Sequence, residues 1–90
     1  MKLILCKSCQ DVVKLQRTTR ACKCGLCAGK YIDRVTAVVS NNDECVCLGL
    51  DNYALAAALR RGGGDIQAFI IGKDSRSMTT APLEKIRETS

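Results

Sequence analysis

The chain of 90 residues has no histidine and no tryptophan, and its only aromatic residues are Tyr31, Tyr53 and Phe69. Without histidine, no mixed cysteine–histidine metal site can form, and the most frequent general base is missing. The scarcity of aromatics removes the bulky side chains that usually dominate a small core. Such a core must be assembled from aliphatic residues and cysteine, and a metal or a second copy is then needed to support it. No segment approaches the roughly 20 apolar residues that span a bilayer. The apolar run that follows Lys2 is also too short for the core of a secretory signal. The expectation is therefore a cytoplasmic protein with no membrane partner.

What the chain has in abundance is cysteine, seven residues in all. In a reducing compartment these read as metal ligands and buried thiols rather than disulfides. Their odd number also rules out complete pairing within one chain. Lys and Arg number 14 against 9 acids, a formal charge of +5. This surplus favours anionic partners without demanding nucleic acid.

Five cysteines cluster in two turn-like segments. Cys6-Lys7-Ser8-Cys9 is a C-x-x-C pair, whose spacing lets both sulfurs face one ion from a tight turn. The second segment is Cys22-Lys23-Cys24-Gly25-Leu26-Cys27. Two such turns supply the closed tetrahedral shell of a structural zinc ion. Within the second segment, spacing alone favours Cys24 with Cys27. Turn chemistry favours Cys22 with Cys24, because Gly25 can take the left-handed conformation needed just after a ligand turn. Four thiolates can equally hold iron, in which case the protein would be red rather than colourless. Cys45 and Cys47 lie two apart in a β-type run, face the same side and read as core thiols.

Residues 2–5 and 12–15 read as strands around the first cysteine pair. Residues 31–39 and 45–50 read as a hairpin about the turn signal Asn41-Asn42-Asp43. Asp51 is a candidate N-cap for a helix over 52–61, with Leu55, Ala58 and Leu59 as its stripe and Gly62-Gly63-Gly64 as its stop. A third strand is expected over 66–71. Residues 73–82 read as a flexible loop, and a short helix can follow Pro82. The expected fold class is α+β: an N-terminal zinc ribbon joined to a small antiparallel sheet with one packed helix. It forms a single domain, 1–90, with the ribbon in 1–29 and the α+β part in 30–90.

Cys6, Cys9, Gln10, Asp11 and Val12, then Cys22, Cys24 and Gly25, then Gly29, Tyr31, Ile32 and Asp33, follow the pattern C-x-x-C-Q/x-D-V, C-x-C-G and G-x-Y-I-D. In these residues the chain resembles a group of small bacterial and phage zinc-ribbon proteins. The likeness extends to residues 48–52 and 68–71. It implies that Cys6, Cys9, Cys22 and Cys24 bind the metal and that Cys27 is an extra thiol. It identifies a fold more than an activity.

A four-thiolate zinc site has no open position for substrate, and no serine or cysteine stands beside an evident base, so no enzymatic activity is expected. Two segments are candidates for holding an anion. Arg60, Arg61 and Gly63 combine fixed cations with a glycine-rich backbone, although at the helix end whose dipole repels anions. Lys73, Ser75 and Arg76 offer cations and a hydroxyl on one loop. A third basic group, Lys7, Arg17, Arg20, Lys23 and Lys30, surrounds the cysteine turns. The leading expectation is a binding protein for a small phosphate-bearing ligand such as a nucleotide immune signal, in the manner of a phage sponge. The alternative is a nucleic-acid-binding or adaptor ribbon, with stacking on aromatics excluded by their scarcity. The alanine-rich helix face favours a homodimer.

Overall fold

A computed structural model describes residues 1–88 of the chain. In order, the elements are β1 (Lys2–Cys6), β2 (Val12–Lys14), β3 (Arg20–Ala21), β4 (Ala28–Tyr31), β5 (Ala37–Ser40), β6 (Cys45–Leu50), α1 (Asn52–Arg61), β7 (Ala68–Ile71), β8 (Met78–Ala81) and α2 (Leu83–Glu88). The strands form two four-stranded sheets, β2-β1-β6-β7 and β3-β4-β5-β8. The fold is thus α+β, with a cysteine cluster contributed by its N-terminal part.

Each cysteine turn closes one hairpin. The first joins β1 to β2 in one sheet, and the second joins β3 to β4 in the other. The cysteine cluster is therefore placed where the two sheets meet. The main core lies behind it, around Ile4, Leu15, Val39 and Met78, with Cys27, Cys45 and Cys47 among the same buried group.

The expected hairpin of residues 31–39 with 45–50 does not form. Residues 32–36 make a local turn, in which Asp33 Oδ1 accepts the N–H of Val35 at 2.9 Å and of Thr36 at 2.7 Å. This side-chain mimic of a backbone turn folds β5 back on β4 instead. β6 crosses to the other sheet and pairs with β1, with Cys6 opposite Cys45 and Ile4 opposite Cys47. Gly29 is buried within β4. A Cβ there would fall 2.9 Å from the Val38 carbonyl oxygen, which accounts for the glycine.

The third expected strand begins at Ala68, two residues later than anticipated. The segment read as a loop over 73–82 contains β8, which runs parallel to β5. Its polar residues concealed it, since Met78 alone in the strand is fully buried.

Helix α1 forms as its caps dictate. Asp51 accepts the N–H groups of Tyr53 and Ala54, and Gly62 ends the helix at φ 78°. The expected stripe, however, buries only Ala58, while Leu59 is 72% exposed and Tyr53 88%. Its four alanines offer little area to bury. The closely packed helix is α2, whose Ile86 is buried against Ala28 and Val38. No helix among the described residues is long and apolar enough to cross a membrane.

Candidate metal centre

The first turn starts at the end of β1. The Gln10 N–H donates to the Cys6 carbonyl at 2.7 Å, and the Cys6 N–H donates to the Asp11 carbonyl at 3.0 Å. To close this turn Gln10 adopts φ 60°, the left-handed region that costs an L-residue roughly 1–2 kcal/mol. In the second turn the Gly25 N–H donates to the Cys22 carbonyl at 3.1 Å, and Gly25 supplies φ 81° without that cost. The two turns are alike: a left-handed residue follows the second cysteine of each.

Together they bring the sulfurs of Cys6, Cys9, Cys22 and Cys24 within 4.8 Å of one another. Cys24 Sγ lies 3.5 Å from Cys22 Sγ and 3.6 Å from Cys6 Sγ. Four sulfurs at zinc–sulfur distance around one ion are about 3.8 Å apart, so this cluster matches a tetrahedral thiolate site with little adjustment. Cys6 and Cys22 are buried, Cys9 is half-buried and Cys24 is exposed.

The surroundings prepare these thiols unequally. The Cys9 backbone N–H is the largest influence on Cys6. With further donors it outweighs burial and holds this thiol below its ordinary range. Burial pushes Cys22 up, but the Cys27 N–H, 3.3 Å from Cys22 Sγ, and the neighbouring thiols bring it down to about 6. The Leu26 N–H favours the Cys24 thiolate. Burial and the Cys22, Cys6 and Cys9 sulfurs override it and push Cys24 up to about 12. Like charges cannot accumulate in one cluster of sulfurs until a cation neutralises them.

Cys27 stands outside the cluster. Its thiol is fully buried, and burial, with Cys45 and Cys6 beside it, pushes it well above the ordinary thiol value. Its backbone rather than its sulfur serves the site, through the N–H that bonds Cys22. Cys47 is likewise pushed up to about 11 by burial.

One contributor stands in the sequence motif without its role being readable there. Asp11 Oδ2 accepts the backbone N–H of Lys23 at 3.0 Å and so ties the first turn to the second. The partners are 12 residues apart, and no local periodicity reports such a contact.

The candidate anion-binding residues do not converge on one pocket. Arg60 and Arg61 are exposed in the last turn of α1. The N–H groups of Gly62 and Gly63 are spent on the Leu59 and Ala58 carbonyls, as a helix terminus of this kind requires. Lys73 approaches Asp43 at 3.9 Å and the Asn42 carbonyl at 3.3 Å, at the other end of β7. Ser75 bonds Ser77 at 3.2 Å, and Arg76 is exposed on the same loop. Of the basic group around the cysteine turns, Lys7, Arg17, Arg20 and Lys23 are exposed, whereas Lys30 is drawn into β4 and buried.

A cavity of about 310 Å³ reaches the first cysteine turn, whose Lys7 lines it. Buried Val39, Cys45, Cys47 and Met78 line its floor, and exposed Lys7 and Lys73 are at its rim with Asp43. Comparison of the chain with protein families, with curated proteins and with solved structures finds no match.

Proposed function

We propose that the chain is a non-enzymatic zinc-ribbon protein that binds a small phosphate-bearing molecule beside its metal centre. Zinc is the ion that best suits four thiolates in a closed shell, where its role is to hold the two turns together. The observation that supports the ligand class is the cavity that reaches the first cysteine turn. Its apolar floor accommodates a flat organic body, and its two lysines, one from the first cysteine turn and one from the loop after β7, supply cations for a phosphate. A nucleotide has both parts. With no histidine in the chain and a saturated metal, the reading is sequestration rather than turnover. That use agrees with the resemblance to phage-borne ribbons and with a role against a nucleotide immune signal.

The test is native mass spectrometry of the metal-loaded chain as purified, followed by the Lys7→Glu/Lys73→Glu double variant. One zinc per chain with a retained organic phosphate, lost in the double variant while zinc stays, supports the reading. Retention unchanged by the double variant overturns this site.

One observation favours a second reading, phosphate-backbone binding to nucleic acid. Residues 1–34 contain eight cations, Lys2, Lys7, Lys14, Arg17, Arg20, Lys23, Lys30 and Arg34, against only Asp11 and Asp33. The net positive charge of the chain thus resides in the part of the sequence that carries the cysteine turns. If DNA affinity is appreciable at physiological salt and falls steeply as salt rises, this reading displaces the first.

A further inference from the structure

The sheet β2-β1-β6-β7 is apolar on both faces, yet the chain covers only one. The inner face carries Ile4, Cys6, Cys45 and Cys47, all buried. Register fixes the outer face. Lys14, Leu3, Leu48 and Ile70 form one row across the four strands, and Val12, Leu5 and Val46 form the next. Ile70 is 68% exposed and Val12 50%, and the four central residues are only half-buried. Strands that read as unbroken apolar runs, as Leu3-Ile4-Leu5-Cys6 and Ala68-Phe69-Ile70-Ile71 do, belong to sheets buried on both sides. An antiparallel sheet with one wet face alternates instead.

We propose that a second copy of this chain covers the outer face, by sheet-on-sheet packing about a two-fold axis. Charge selects this occupant. The rows contain one charged residue, Lys14, in a chain with 14 cations and 9 acids, so the face offers nothing to an ionic or nucleic-acid partner. Its best complement is another flat, uncharged, apolar sheet, which a second copy supplies. A two-fold axis running along the strands lays β2 over β7 of the copy. The two Lys14 side chains then lie at opposite edges and do not meet. Size sets the strength. Four strands about 4.8 Å apart and about five residues long present roughly 300 Å², well under the ~800 Å² per partner of a stable complex. The association is therefore weak and reversible. Val46 and Ile70 of this face also line the cavity with Lys7 and Lys73, so a second copy seated here reaches the edge of that cavity.

Sedimentation velocity of the zinc-loaded full chain across the micromolar range tests this. A monomer–dimer equilibrium is expected, weakened at least tenfold by Ile70→Lys and likewise by Val12→Lys. Both positions are exposed on edge strands, so zinc content and circular dichroism remain those of the parent, and each variant checks the other. A chain that stays monomeric throughout overturns the proposal. So does a dimer unaffected by either substitution. A monomer that floats with neutral phosphatidylcholine vesicles overturns it in favour of a lipid surface.

Discussion

Asp11 and Lys23 join the two cysteine turns: the carboxylate of one accepts the backbone N–H of the other at 3.0 Å. The bond fixes the distance between turns that belong to different sheets, and so fixes where four sulfurs converge. A hydrogen bond to an ionised group contributes about 1.5–3 kcal/mol, and outer partners of metal ligands typically change affinity 10–100-fold. Asp11→Ala is expected to weaken zinc binding by at least tenfold in competition with a chromophoric chelator. Asp11→Asn keeps an acceptor oxygen and should retain most of the affinity. Equal losses in both variants would show that charge, not the bond, is what matters.

The left-handed Gln10 makes the opposite kind of prediction. At φ 60° its Cβ is strained, and the equivalent residue of the second turn is already glycine. Gln10→Gly relieves the strain but adds freedom to the unfolded chain. The net gain is expected to be about 0.5–1 kcal/mol, seen as a higher melting temperature of the metal-loaded protein. A lower melting temperature would mean that the glutamine side chain makes a contribution of its own.

Much of this arrangement was legible in the residues. The cysteine turns, the helix from Asp51 to Gly62 and most strand positions follow from spacing, caps and apolar runs, all of which act over a few residues. Strand partners were not legible. Whether β6 would lie beside β5 or β1 depends on the turn that Asp33 builds and on a non-local match of apolar runs, and neither has a period to read. β8 was hidden because a short strand with one buried residue, Met78, looks like a loop. The cavity has no local signal either, since Lys7 and Lys73, far apart in sequence, come to one cavity only through the tertiary fold. The cysteine motif, by contrast, carries its geometry in its spacing. The one choice it left open, Cys22 or Cys27, turned on the path of the chain after Gly25: both are buried, but only the Cys22 sulfur joins the cluster.

That choice gives a direct comparison of two buried cysteines. Cys22 Sγ belongs to the cluster, 3.5 Å from Cys24 Sγ, whereas Cys27 lies behind it among core residues. Cys22→Ser should abolish stoichiometric zinc and unfold the cysteine-turn region, since structural zinc contributes on the order of 10–16 kcal/mol to small domains. Cys27→Ala should keep one zinc per chain and lose only roughly 1–2 kcal/mol for a small buried group. Metal analysis with thermal melts separates the two. A Cys27→Ala chain without zinc would move that sulfur into the ligand set.

Protons and metal compete for the same sulfurs, and the direction of that competition follows from the site. Without metal, Cys22 titrates at about 6 and is already ionised near neutrality, while Cys24, pushed up to about 12, keeps its proton. Bound metal requires thiolates, so the loaded site has fewer protons than the empty one. Lowering the pH therefore drives the equilibrium toward the empty site, and raising it favours loading. Between pH 8 and pH 6, affinity should fall by about tenfold per unit for each proton displaced, and more steeply below about 6, where Cys22 also takes up a proton. Calorimetry in two buffers of different ionisation enthalpy counts those protons directly. At neutral pH at least one should be released, from Cys24. A zinc affinity that is flat with pH, with no proton released, would mean that the four sulfurs are not the ligands, whatever their proximity.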